Sequence, residues 1–153
     1  MAIYYFLIGI PGSGKSTYAA SLGCRVVCPD IIREERGWRP DAPEAFEIAR
    51  SQILKELLAG RDVVFDATNT VRDLRAEMIA VGKPYADRVV CIWMDTPLMT
   101  CMWRNLERGR QGGRRVPPDV MERMARHLAD NPPELSEGFD EIRRVTPDEE
   151  RRT

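Results

Sequence analysis

The sequence is short of lysine, of histidine and of long apolar runs, and each shortage excludes something. Lys15, Lys55 and Lys83 are the only lysines among 23 basic residues. Against 24 acidic residues the formal charge is −1. The chain as a whole is therefore no electrostatic trap for nucleic acid, and any such contact has to be short, local and made through arginine. His127 is the single histidine, and Cys24, Cys28, Cys91 and Cys101 fit no common zinc spacing. The thiols read as reduced and mostly buried, as in a cytoplasmic protein, and His127 reads as an exposed helical residue. No apolar run approaches the roughly 18 residues of a membrane span. Residues 3–10 are too short, and lack the basic leader, to be a signal peptide. Repeats and low-complexity segments are also missing.

What is present suits one compact soluble domain. The 153 residues are 43% hydrophobic and 31% charged, a globular balance. The length leaves no room for a second catalytic domain. The expectation is a single domain over residues 1–147 and a charged tail, 148–153, that frays. Short apolar runs alternate with helical periodicity, which argues for an α/β domain with a parallel sheet. Strands are expected at 3–8, 25–28, 63–65 and 89–94, with a short last one at 139–145. Helical signals begin near Lys15 and fade before Gly23. They return at Phe46, Ala49, Ile53 and Leu57 with Gly60 as the stop, and again at Leu74, Met78 and Ile79. Further helices should start at Pro97 and at Pro117-Pro118-Asp119, the latter running to about Leu128. Residues 35–43 and 109–116 read as loops, and Pro132-Pro133 as a break.

The segment Gly9-Ile-Pro-Gly-Ser-Gly-Lys-Ser16 fits G-x-x-x-x-G-K-[ST] at every fixed position, after an apolar strand and before a helix. Glycines let the backbone turn so that successive N–H groups point inward and cradle an anion. Lys15 should reach the β- and γ-phosphates, and the Ser16 hydroxyl should ligate Mg²⁺. The nucleotide-binding set is thus Gly12, Ser13, Gly14, Lys15, Ser16 and Thr17. Asp66 ends an apolar strand, where a carboxylate either helps hold hydrated Mg²⁺ or caps the following segment.

Asp30 follows the second strand, at the end where parallel sheets bind ligands. It is placed to take the proton of an attacking hydroxyl. On a helix, Arg33 shares its face and could hold an acceptor's phosphate or carboxylate. A capping Asp with a surface ion pair is the plainer alternative. Arg104, Arg108, Arg110, Arg114 and Arg115, set among Gly109, Gly112 and Gly113, suit a cationic lid over about 104–118 that neutralises transferring phosphate. A solvated basic loop is the alternative there. Trp93 and Trp103 read as packing residues, while Trp38 either packs or stacks on a base.

Together these residues resemble the kinase domain of phage-type polynucleotide 5′-hydroxyl kinases, within the small P-loop kinases. The resemblance runs from about residue 3 to 128. Residues 9–19 are similar to the family's P-loop, Asp30-Ile-Ile-Arg33 to its D-x-x-R element, and Asp66-Ala-Thr-Asn69 to its D-x-T-N element. Residues 104–109 and 116–120 resemble its lid and the helix that follows. Pro29 stands where the family often has Arg or Asn, and residues 111–115 lengthen the lid. The resemblance implies a three-layer P-loop NTPase fold whose parallel five-stranded sheet has the order 2-3-1-4-5. It implies ATP with Mg²⁺ and phosphoryl transfer to a 5′-hydroxyl end of DNA or RNA. Asp30 would be the base, Arg33 would bind the neighbouring 3′-phosphate, and Arg108, assisted by Arg104, would bind the donor phosphates. Two other readings stay open: a kinase of the same fold acting on a small-molecule or nucleoside hydroxyl, and a non-catalytic ATP-binding switch. No membrane and no obligate protein partner is expected.

Overall fold

In the computed structural model, residues 2–147 are described, and the expected fraying tail lies outside them. The first strand, β1 (Ile3–Ile8), lies mid-sheet with both faces largely covered, which is why it reads as an unbroken apolar run. Tyr4, Phe6 and Ile8 enter the larger core with Ala45, Ala49 and Ile53 of α3 (Glu44–Leu58) and with Met78 and Ile79 of α4 (Arg72–Gly82). Leu7 enters a second cluster with Ala19 of α1 (Lys15–Ser21). Helices thus cover the two faces of the sheet, giving three layers.

The remaining strands are β2 (Arg25–Val27), β3 (Val63–Phe65), β4 (Arg88–Met94) and β5 (Glu141–Val145). All pairings are parallel, in the order β2-β3-β1-β4-β5. In register, Phe6 pairs with Phe65 on one side and with Cys91 on the other. The strands therefore end together, and the segments leaving β1, β2 and β3 emerge at one edge of the sheet. This is the three-layer P-loop NTPase arrangement, with the arginine-rich segment above that edge.

Three helices complete the domain. α2 (Pro29–Arg36) starts at Cys28, with proline in its first turn, and stops at Gly37 in a left-handed conformation (φ 67°). It takes the first two residues of the segment expected to be loop. α5 (Leu98–Arg110) likewise runs past Gly109 into the expected lid loop, and α6 (Pro118–Asp130) follows it.

Several sequence expectations need correction. On α4 the buried face is Arg75, Met78, Ile79 and Gly82, while Leu74 is 64% exposed. Met78 and Ile79 are buried as expected; Leu74 alone departs, and Arg75, which has an interior partner described below, lies on the inner face instead. Trp103 is exposed rather than packed, since α5 buries Cys101 and Asn105 and residue 103 falls between them on the outer face. Trp93 packs against the larger core as expected, half-buried, with the Arg144 guanidinium 5.1 Å from its ring centroid. His127 is half-buried, because α6 lays the neighbouring Leu128 onto the core there. None of the four cysteines is in a disulfide; Cys91 and Cys101 are buried, Cys24 and Cys28 partly so.

Candidate functional site

The loop from β1 to α1 is shaped by two glycines with positive φ, Gly12 (82°) and Gly14 (96°), a region closed to most side chains. Gly12 is needed for space as well: a Cβ there would lie 2.5 Å from the Cys101 carbonyl oxygen. The loop is tied down from outside. Thr96 Oγ1 donates to the Ser13 carbonyl at 2.9 Å, and Arg104 Nη1 donates to the Gly12 carbonyl at 3.1 Å. Ser13 is fully buried, and its Oγ has no hydrogen-bond partner among the described residues. Lys15 Nζ donates to the Ile10 carbonyl at 3.1 Å, folding the loop back on itself. Loss of water around Lys15 pushes its ammonium below the usual lysine range, and the charges of Asp66 and Asp30 oppose that.

Asp66 leaves the end of β3 and accepts a hydrogen bond from Ser16 Oγ at 3.1 Å. Burial pushes its carboxyl above the usual range, against the pull of Lys15 and the Ser16 bond. A desolvated carboxylate beside a hydroxyl is an oxygen donor set that suits a hard cation. Among the described residues no group of three or more His, Cys, Asp or Glu could hold a metal. Mg²⁺ normally binds through one or two protein oxygens plus phosphates and waters, so Ser16 and Asp66 fit that role.

The turn after Asp66 is pinned. Asn69 has φ 50°, and its Nδ2 donates to the Leu7 carbonyl at 2.7 Å. The Gly9 amide donates to the Thr68 carbonyl at 3.0 Å. Beneath it lies Arg75, fully buried, which grips Glu137 with Nε and Nη2 at 2.6 and 2.9 Å and donates from Nη1 to the Asn69 carbonyl at 3.1 Å. Sequence reasoning missed this arginine. Its spacing to Met78, Ile79 and Gly82 (i, i+3, i+4, i+7) was the available signal.

On the other side of the cleft, the first turn of α2 presents Asp30, and Arg33 follows one turn later. Arg33 Nη1 lies 2.9 Å from Asp30 Oδ1. The Arg33 Nε donates to the Ala42 carbonyl at 2.9 Å, and the guanidinium sits 5.5 Å from the Phe46 ring centroid. A cavity of about 860 Å³ joins the two halves. Gly12, Gly14, Lys15, Ser16, Thr17 and Asp66 line one end, Asp30 and Arg33 the other, and Arg108, Arg114 and Arg115 the roof. Trp38 lines the same cavity, half-buried, with the Arg36 guanidinium 5.4 Å from its ring centroid. Cys28 also lines the cleft, its thiol pushed up to about 11, mainly by burial.

The lid arginines separate by position. Arg108, Arg114 and Arg115 border the cavity, Arg104 braces the loop from outside it, and Arg110 pairs with Glu107 at 3.1 Å. Ser13 likewise stands behind the loop rather than on the cavity wall. The lid is clasped at its base by Asn105: Nδ2 donates to the Val116 carbonyl at 2.7 Å, and Oδ1 accepts from the Val116 amide at 2.9 Å. Asn105 gave no sequence signal, because its partner lies across a loop of unspecified path.

A family model described as AAA domain, AAA_33, matches residues 5–131. Among curated proteins, the L-seryl-tRNA(Sec) kinase of Methanococcus maripaludis is 26% identical over 129 residues, covering 77% of this chain and 49% of that protein. Among solved structures, a chain of the Pnkp1/Rnl/Hen1 RNA repair complex superposes with a TM-score of 0.76 at 25% identity, over 91% of this chain and 46% of that one. Chaetomium thermophilum Kti12, solved with ADP-AlF3, superposes at 0.68 with 13% identity, over 97% and 94%, a likeness of fold. The chain spans about half the length of the archaeal relative and less than half of the repair-complex chain.

Proposed function

This chain belongs to the AAA domain family AAA_33 of P-loop kinase-like proteins, and from that premise we propose that it is an ATP-dependent kinase acting on 5′-hydroxyl ends of DNA or RNA. One observation carries the reading. Lys15, Ser16 and Asp66 share a single cavity with the Asp30–Arg33 pair, so a triphosphate and an alcohol can meet there. A switch or simple nucleotide binder has no use for the second pair. The likeness to the repair-complex chain supports the choice of a polynucleotide end.

In this mechanism the amides of residues 12–17 and Lys15 hold the triphosphate tail. Lys15 leaves the Ile10 carbonyl to do so, exchanging a neutral acceptor for an anionic one. Ser16 and Asp66 would hold Mg²⁺, which would supply neutralisation of phosphate charge. Asp30 accepts the proton of the acceptor hydroxyl as its oxygen attacks the γ-phosphorus. Arg33, fixed by Ala42 and Phe46, orients Asp30 and binds a phosphate next to that hydroxyl. Arg108 meets the donor phosphates from the roof, and Arg104 keeps the loop in shape beneath them.

The test is transfer of label from γ-labelled ATP to 5′-hydroxyl oligonucleotides of DNA and RNA, with nucleosides and serine as small acceptors. Label on the oligonucleotides supports the reading, and none on any of them rejects it. Label confined to small alcohols favours the second reading, a kinase of small-molecule hydroxyls, to which the likeness to a seryl-tRNA kinase lends weight. Asp30→Asn should lower transfer by about 10²–10⁴-fold and leave ATP affinity within about twofold of the parent. Transfer at the parent rate would remove Asp30 from the base role.

A further inference from the structure

Two guanidiniums meet one carboxylate oxygen at the acceptor end of the cleft, and they are held differently. Arg33 has three anchors: Asp30 Oδ1, the Ala42 carbonyl and the Phe46 ring. Its side chain is 11% exposed. Arg114 comes down from the lid to the same Oδ1, with Nη1 at 3.1 Å, and its side chain is 40% exposed. It follows Gly112, which has φ 81° and open space around it, and Gly113. Arg33 alone is sufficient to orient the carboxylate. The second guanidinium is not needed for that: it shares Oδ1 with Arg33, while the Asp30 side chain stays 52% exposed.

We propose that Arg114 reads the acceptor: it rests on Asp30 Oδ1 while the cleft is empty and moves to a phosphate that the acceptor carries beside its reacting hydroxyl. This rests on the kinase reading above and assigns Arg114 to the acceptor, not to the ATP phosphates. An ion pair this exposed is weak, whereas a phosphate offers a guanidinium two parallel charge-assisted bonds. The exchange therefore runs toward the acceptor. Arg33 stays in place and becomes the second cation on the same phosphate. Asp30 then takes the hydroxyl proton, the alcohol oxygen bonds to the γ-phosphorus, and the bridging oxygen leaves with its electron pair as ADP. A neutral alcohol offers Arg114 nothing, so the cleft selects acceptors by charge through the affinity Arg114 adds.

Calorimetry on the protein loaded with ADP and magnesium tests this, with a nucleoside 3′-monophosphate and the same nucleoside as probes. The parent should bind the monophosphate at least about 10-fold more tightly than the nucleoside, as a charged hydrogen-bonded contact implies. Arg114→Ala should lose about 10-fold on the monophosphate, with less than about twofold change on the nucleoside or on ADP. Arg114→Lys, which keeps the charge but not the fork, should recover part of the loss. Equal binding of the monophosphate by parent and Arg114→Ala overturns the proposal. So does no binding by the parent, or a loss that falls on ADP instead. Label transfer measured in parallel keeps the two ideas apart. Arg114-dependent binding without transfer would reject the kinase reading while the acceptor contact stands.

Discussion

At the scale of single residues, the site stores its unfavourable terms in two groups, the partly buried Lys15 and the buried Asp66. Each is displaced toward its neutral form by loss of water, and each pulls the other back. For Asp66 burial wins, so the folded protein binds this proton more tightly than the unfolded chain does. Stability then rises as pH falls through the folded-state value, because the folded state takes up the proton first. Asp66→Asn imitates the protonated group. The variant should melt at a higher temperature than the parent near pH 7 in the absence of nucleotide. The gap should close as pH is lowered into the range where Asp66 itself protonates. Melting curves across pH, read with and without magnesium and ATP, check this, since the same variant should lose most of the stabilisation that the ligands give the parent. A gap that widens toward low pH would mean that Asp66 is stabilised as a charge.

At the scale of elements, the loop between β1 and α1 is where local chemistry and tertiary contact agree. Gly12 carries a φ of 82° and also faces the Cys101 carbonyl. Gly12→Ala should therefore lose about 1–3 kcal/mol of stability together with nucleotide binding. Denaturant titration and calorimetry with ATP read the two losses separately, and an alanine variant as stable as the parent would show that α5 can retreat. The motif was legible because its constraints are local: strand, turn, lysine, serine and helix follow one another within sixteen residues of the start. The helix phases were less so. For α3 the reading from Ala49, Ile53 and Leu57 matches the buried face. For α4 it holds at Met78 and Ile79 and fails at Leu74, because a periodicity argument counts Leu74 as core and Arg75 as surface. Its partner Glu137 is 62 positions away, and no local pattern carries that information. Trp103 failed for the opposite reason, since aromaticity alone does not say which side of α5 has a neighbour.

At the scale of the whole molecule, the Arg75–Glu137 pair joins α4 to the segment after Pro132-Pro133, where Pro132 also accepts from Arg75 Nη2 at 3.2 Å. Through the Asn69 carbonyl it sets the height of the turn that carries Asp66 and Thr68. Arg75→Met leaves Glu137, 7% exposed, with only the more distant Arg72 guanidinium, whose Nε lies 3.7 Å from Oε1. Such a break costs about 3–5 kcal/mol. Joining Glu137→Met to it should recover most of that loss, as apolar replacements of buried pairs do. Chemical denaturation of the two single variants and the double closes this cycle, and additive losses would mean that the pair is not coupled.

The chain's own order of residues determined the phosphate-binding loop, the parallel sheet and the candidate pair Asp30–Arg33, and marked Ser16 and Asp66 separately, 50 positions apart, because each rests on neighbours a few positions apart or on apolar runs that must be covered. Tertiary structure alone decided that all four residues face one cavity, that Arg114 rather than Arg110 reaches Asp30, and that a buried arginine supports the turn behind Asp66. Those outcomes depend on where segments tens of residues apart come to rest. That placement follows from the packing of the whole core, which no short stretch of sequence encodes.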